Sequence, residues 1–201
     1  MTLDDLDTTE EPVTLDGRRR RAEASRDRIV AAMIELVREG QTTPPAEAVA
    51  ERAGVGLRTV FRLFKDMDGL YRVMQDMMLR RLAPLAATPI TGETWREQLR
   101  ALIQRRARLF EEMMPMQLAG DAHRTRSPFL QKEHTQFVRL QRDMALALLP
   151  ADVLADEMLV EMLDLAMSFD SWRRLRIDQA LPPDRAEATM AMLVERVVGL
   201  E

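Results

Sequence analysis

One stretch constrains this chain more than any other: Glu47-Ala-Val-Ala-Glu-Arg-Ala-Gly-Val-Gly-Leu-Arg-Thr-Val-Phe-Arg-Leu-Phe-Lys65. Ala50 is small where two helices would cross closely. Gly54 follows four residues later, where the chain must leave the first helix through an unusual backbone angle. Val60 comes six residues further on, where a second helix buries its first large side chain. This spacing predicts two short helices joined by a tight turn, a helix-turn-helix. On a wheel centred on Val60, Leu63 and Phe64 fall on the same side. Arg58, Arg62 and Lys65 fall opposite, with Thr59 and Phe61 on the flanks. Three cations on one face suit a polyanion; a solvated face with snorkelling arginines is the plainer alternative.

The net charge of -4 argues against a nucleic-acid partner until it is divided along the chain. Residues 1–17 hold six acids and no base, and residues 18–65 hold eleven bases against six acids. The remainder is acidic again. A basic module therefore sits between an acidic tail and an acidic body. The tail has no sustained apolar period and reads as disordered. Arg18, Arg19, Arg20 and Arg21 fit either a solvated helix lead-in or an arm on phosphates or in the minor groove.

The rest of the chain reads as helix. It has 8 Gly, 10 Pro, few aromatics and no β-branched run of strand length. A first helix spans 25–39, with Ile29, Met33, Leu36 and Val37 in one stripe, and Gly40 ends it. Thr43 is placed to cap the next helix, with Pro44 at its first position, or to meet a phosphate. That helix runs to about 53 and the third from 57 to 65. Further helices are expected at about 67–85, 94–114 (stopped by Pro115) and 116–123. Then come 128–149 with Phe129, Leu130, Phe137, Leu140, Met144 and Leu148 inward, 151–178, and 184–200. The expectation is all-α, with about nine helices.

Zero cysteines remove disulfides, thiolate metal sites and cysteine nucleophiles together, which is compatible with a reducing cytoplasm. No apolar run approaches the roughly 20 residues of a membrane span, and the acidic N-terminus is not a secretory signal. Nothing points to an enzyme. His123 and His134 are the only histidines, and Pro128 separates them. No Glu-x-x-His pair, phosphate-cradling glycine loop or Gly-x-Ser-x-Gly is present. Glu157, Glu161 and Asp164 share a helix face, the usual pattern of a solvated one. No metal or cofactor is expected.

Residues 26–73 resemble the DNA-binding domain of the tetracycline-repressor family. The likeness runs through the apolar first helix, Gly40, Val49-Ala50, Ala53-Gly54-Val55, Thr59 to Phe64, and Leu70. Residues 169–183, from Phe169 through Trp172 to Pro182-Pro183, are similar to the eighth helix and turn of many members. The resemblance implies a three-helix DNA-binding domain, here 18–66, and a helical effector-binding and dimerising body, here 67–201. Four positions depart from the family pattern. Gly56 stands where Ser or Thr is usual, Phe61 where Tyr is usual, Leu63 where His is frequent and Met67 where Lys is usual. Each removes a possible phosphate contact, which Arg58, Arg62, Lys65 and the arginine run replace from other positions.

A recognition helix lies in the major groove, and an arginine fork spans O6 and N7 of guanine. Arg58, near the helix N-terminus, is the first choice for base readout. Leu57 and Thr59 suit a thymine methyl; Arg62 and Lys65 suit bases or backbone; Gly56 and Phe61 complete the expected surface. One such module buries too little area for tight binding, so a homodimer on a pseudo-palindromic operator of double-stranded DNA is expected. Leu159, Met162, Leu163 and Phe169 form one candidate dimer stripe, and Met190, Leu193, Val194 and Val197 another. Both also suit intramolecular core. The many methionines suit a permissive pocket for a small apolar or amphipathic effector, or ordinary core filling. Its candidate lining is Met74, Met78, Leu109, Met113, Met116, Phe137, Met144 and Trp172. The expected function is a ligand-responsive, sequence-specific repressor. The alternatives are a helical protein-interaction module and a non-specific DNA-binding protein.

Overall fold

The computed structural model describes residues 13–199. They form ten α-helices and one π-helical turn, with no strand among the described residues. The all-α expectation holds, with one helix more than anticipated. The chain divides into two compact units, Met1–Met74 and Gln75–Glu201, with the boundary inside a helix.

The first unit is built from α1 (Val13–Arg38), α2 (Ala46–Ala53), α3 (Leu57–Phe64) and the first turns of α4 (Met67–Ala86). Its core is the expected stripe of α1, with Ile29, Met33, Leu36 and Val37 all buried, together with Val49, Ala50, Val60, Phe64 and Leu70. Removing such side chains from water stabilises a core by roughly 1.5–3 kcal/mol each. Helix α1 starts earlier than its apolar stripe suggests. Residues 13–17, expected in a disordered tail, are helical; residues 1–12 of that tail lie outside the described residues.

The second unit contains the rest of α4, then α5 (Trp95–Arg124), α6 (Pro128–Leu146), α7 (Ala151–Leu154), α8 (Glu157–Ala166) and α9 (Phe169–Arg173). The π-helical turn Arg174–Asp178 and α10 (Pro183–Val197) complete it. Its core includes Leu99, Ile103, Phe110, Leu163, Met167, Trp172 and Met190. Three expectations fail here. Pro115 does not stop α5, which runs unbroken through it. A proline costs its helix one hydrogen bond and some strain, but Phe110, Met113, Met114, Met116 and Ala119 are buried on both sides of it and hold the helix together. The single helix expected over 151–178 is instead four segments. Asp156 accepts from the Leu159 N–H at 3.0 Å and Ser168 from the Ser171 N–H at 3.1 Å, so each starts a new helix as an N-cap. Leu140, expected inward on α6, is exposed.

Candidate nucleic-acid interface

The turn between α2 and α3 is closed by backbone chemistry. Gly54 adopts φ 62°, ψ 41°, a left-handed conformation that glycine reaches without a Cβ penalty. The Gly54 N–H donates to the Glu51 carbonyl at 3.1 Å and the Val55 N–H to the Ala50 carbonyl at 3.0 Å, a Schellman closure. Gly56 is extended at the start of α3 and offers no side-chain cap. Helix α3 then buries one side and exposes the other. Val60 is 1% exposed and Phe64 4%, while Phe61 is 43% exposed and Leu57, Arg58 and Arg62 also face solvent. Thr59 is half-buried. Among the described residues, the side chains of Arg58, Arg62 and Lys65 have no hydrogen-bond or ion-pair partner.

The end of α3 is anchored from three directions. Lys65 adopts φ 66°, ψ -52°, and the Asp66 N–H donates to the Phe64 carbonyl at 2.7 Å across it. This is a γ-turn of the rare, strained kind. Arg26 of α1 donates to the Leu63 carbonyl at 3.2 Å and lies over the Phe64 ring, 4.8 Å from its centroid. Asp66 caps α4 by accepting from the Gly69 N–H at 2.8 Å. A Cβ at Gly69 would stand 2.1 Å from the Phe64 carbonyl oxygen, so only glycine fits where α4 begins. On the other side of the motif, Arg52 of α2 holds Glu39 through two 2.8 Å hydrogen bonds, reaching Glu35 as well. These bonds hold the Glu39 carboxyl below the usual carboxylate range. Sequence reasoning missed Arg26, Arg52, Asp66 and Gly69. Asp66 carried a visible N-cap signal; Arg26 and Arg52 carried none, since nothing in their spacing distinguishes a tie from a solvated charge.

Two other expectations in this unit change. Thr43 does not cap α2, which begins at Ala46 after Pro45, and no side chain caps it. The second proline displaces the helix start, because Pro45 disfavours a helical angle at Pro44. Thr43 lies exposed in the preceding loop. Arg18, Arg19, Arg20 and Arg21 are exposed on α1, not on an extended arm, and Arg19 pairs with Glu23 at 3.2 Å.

The expected effector lining does not gather around one cavity. Met113 and Trp172 are buried in the core of the second unit, with Met78, Leu109 and Phe137 packed against it, and Met116 is buried as well. Met144 is half-buried, and Met74 is buried in the first unit. Of the eight, only Phe137 lines the cleft that opens between α5, α6, α8 and α9. The expected dimer stripes also divide. Leu163, Phe169, Met190 and Val194 belong to the chain's own core, Leu159 and Val197 are half-buried against it, and Met162 and Leu193 face solvent. Met158, Leu165 and Met192, unremarked in the sequence, are more exposed still. The apolar face that points outward is thus offset around each helix from the one that the stripes suggest. Among the described residues, no helix is long and apolar enough to cross a membrane, and no three acids or histidines are grouped to hold a metal.

No family model matches the sequence, and no curated protein does. The fold is similar to the crystal structure of a transcriptional regulator from Rhodococcus sp. Rha1, with a TM-score of 0.63 at 16% sequence identity. The match covers 86% of this chain and 95% of that one, a likeness of fold across the length of both.

Proposed function

We propose that this protein is a sequence-specific DNA-binding transcriptional regulator of the tetracycline-repressor type. In this reading it acts as a homodimeric repressor in the cytoplasm and is released from its operator by a small ligand. One observation carries the proposal. Arg58, Arg62 and Lys65 stand together at the exposed face and end of α3, without partners among the described residues, on a helix whose opposite face is core. Unpaired exposed cations add little to the stability of their own unit. They complement a phosphate backbone and, through the guanidinium fork, the guanine edge. Arg58 near the start of α3 reads a base. Leu57, Thr59 and Phe61 offer apolar contact, and the Gly56 backbone permits close approach. Arg62, Lys65, Thr43 and the arginines at 18–21 neutralise phosphates. The fold likeness to a regulator supports this reading, as does the resemblance of residues 26–73 to the family's DNA-binding domain.

Homodimerisation is supported by the exposed apolar side chains of α8 and α10, which pack against each other in the second unit. Met158, Met162 and Leu165 share one face of α8, and Met192 and Leu193 stand out from α10. Exposed groups of this kind mark contact surfaces. Selection of binding sites from a random duplex pool tests the proposal. An enriched inverted repeat is expected, since two-fold protein symmetry maps onto the operator. A pool with no enriched sequence contradicts specific recognition and leaves a non-specific DNA binder or an acidic protein partner for the basic helix.

A further inference from the structure

The cleft between α5, α6, α8 and α9 has a volume of about 270 Å³, close to the lower end of the roughly 300–1,000 Å³ of small-molecule sites. One face of α6 forms a wall of it. His134, Phe137, Val138 and Gln141 recur at i, i+3, i+4 and i+7, the spacing that places side chains on one side of a helix. Phe169 meets Phe137 edge-to-face at 6.5 Å, and Leu165 extends the apolar part. The charged groups around the cleft cancel. Four carboxylates line it: Asp121, Glu161, Asp164 and Asp170. Arg124 lies 2.8 Å from Asp121, and Arg173 is 3.7 Å from Asp170. Arg142 is shared between Glu161 at 2.7 Å and Asp164 at 3.0 Å. Arg106, buried beside Asp164 and donating to the Gln141 carbonyl, is the fourth guanidinium.

His134 is held below the ordinary imidazole range, first by burial and then by Arg124, so it adds no charge at neutral pH. An ion entering the cleft sheds its water and meets carboxylates and guanidiniums that are already paired, so neither sign of charge finds a counter-ion. One polar group is left over. The side-chain nitrogen of Gln141 is buried and has no hydrogen-bond partner among the described residues. Ser168, also in the lining, is occupied: its hydroxyl donates to the Leu165 carbonyl at 2.9 Å and accepts from the Ser171 N–H at 3.1 Å. A buried N–H without an acceptor destabilises, and an oxygen brought in by a ligand removes that penalty. The cleft therefore lacks an acceptor and not a charge.

We propose that this cleft binds a neutral, mostly apolar molecule carrying a hydrogen-bond-accepting oxygen, with its hydrocarbon against Phe137 and Phe169 and its oxygen on the Gln141 amide. The terminal torsion of a glutamine is soft, so a turn about it brings the N–H to an oxygen in the cleft. As a binding site the cleft stands alone; as an effector site it rests on the regulator reading above.

Calorimetric titration of the full chain with 4-phenyl-2-butanone, 4-phenylbutylamine and 4-phenylbutyrate tests it, because the three share an aromatic hydrocarbon and differ in charge. The ketone is expected to bind at least about tenfold more tightly than either ion. Propylbenzene, followed by NMR, supplies the hydrocarbon without an oxygen. Gln141→Met keeps the length of the side chain and removes its donor. It should weaken the ketone at least about fivefold, leave propylbenzene unchanged, and keep the melting temperature, since the fold loses no hydrogen bond. Phe137→Ala should weaken both neutral compounds. An ion bound as tightly as the ketone, ketone binding untouched by Gln141→Met, or no binding of the ketone overturns the assignment. The charge series on the unaltered protein decides this even where a variant fails to fold. DNA anisotropy is read separately. Ketone binding that leaves the protein on its DNA keeps the site and removes the effector role. A retained ketone preference in a protein without DNA specificity overturns the regulator reading alone.

Discussion

Arg58 and Arg62 project from α3 without a partner among the described residues, whereas Arg105 and Arg106 of α5 are buried and end on backbone carbonyls. Arg105 donates to the carbonyls of Ala86 and Thr88, at the end of α4, at 3.0 and 2.8 Å. Arg106 donates to Met167, at the end of α8, at 3.0 Å, and to Gln141 of α6. Burial pushes the Arg106 pKa down to about 10, which leaves it charged at neutral pH. Other arginines of the second unit behave similarly: Arg176 joins Glu111 at 2.7 Å, and Arg100 joins Glu195 at 2.6 Å. One residue type thus serves two ends. In the second unit it ties helices together, while on α3 its charge is left for something outside the chain. Counting charges along a sequence does not separate these uses; partner geometry does.

The largest effect expected from this contrast is at Arg106. Arg106→Ala, with 4% of the residue exposed, removes two buried charge-assisted hydrogen bonds. At about 1.5–3 kcal/mol each, the loss should be about 3–6 kcal/mol in urea unfolding followed through the tryptophans of the second unit. A loss under about 1 kcal/mol would mean that the arginine is no tie at all. Next is Gly69→Ala, where the added methyl meets the Phe64 carbonyl. Overpacking of this kind costs about 1–3 kcal/mol, and it should lower the melting temperature and weaken DNA binding together, by moving the end of α3. An unchanged melting temperature would remove Gly69 from the account.

Lys65→Gly separates stability from binding. Relief of the strained turn, about 1–3 kcal/mol, outweighs the added unfolded-state entropy of glycine, so stability should rise by about 1 kcal/mol. Losing one phosphate contact should at the same time reduce the salt slope of DNA binding by about one. Stability and slope changing in the same direction would break the contrast.

The smallest effect is a pH dependence. Arg176 holds the Glu111 carboxyl below its ordinary value of 4.5 in the folded chain. Below that value the unfolded chain binds the proton first, so the stabilisation is complete above pH 4.5 and is lost as pH falls through the folded pKa. Arg176→Met should therefore lose less stability than the unaltered protein between pH 7 and pH 3.5, as read from urea midpoints. Parallel losses would show that the pair contributes nothing.

The first unit was the more legible of the two. Its pattern is local: the α1 stripe, Gly54 and Val60 each act within a few residues, and the buried positions fall where periodicity puts them. Thr43 failed because two consecutive prolines compete for one helix start. The second unit failed where burial overrode a local signal. Pro115 is a helix breaker by itself, and only the buried side chains on either side keep α5 continuous. Conversely, Asp156 and Ser168 were readable as N-caps, and the apolar run over 151–178 obscured them. Arg105 and Arg106 carry no local signal of burial, because their carbonyl partners are distant in sequence. The cleft was missed for the same reason: its acids and aromatics come from four helices, and the methionines that drew attention went into the core.

The most direct test of the central claim is competition anisotropy on the duplex that selection enriches. It is run at near-physiological salt with excess random duplex, comparing the unaltered protein with Arg58→Ala. The account predicts that binding survives the competitor, and that Arg58→Ala loses about 1–3 kcal/mol of discrimination at a single base position with unchanged helicity. Arg58→Ala binding as tightly and as selectively as the unaltered protein would contradict it.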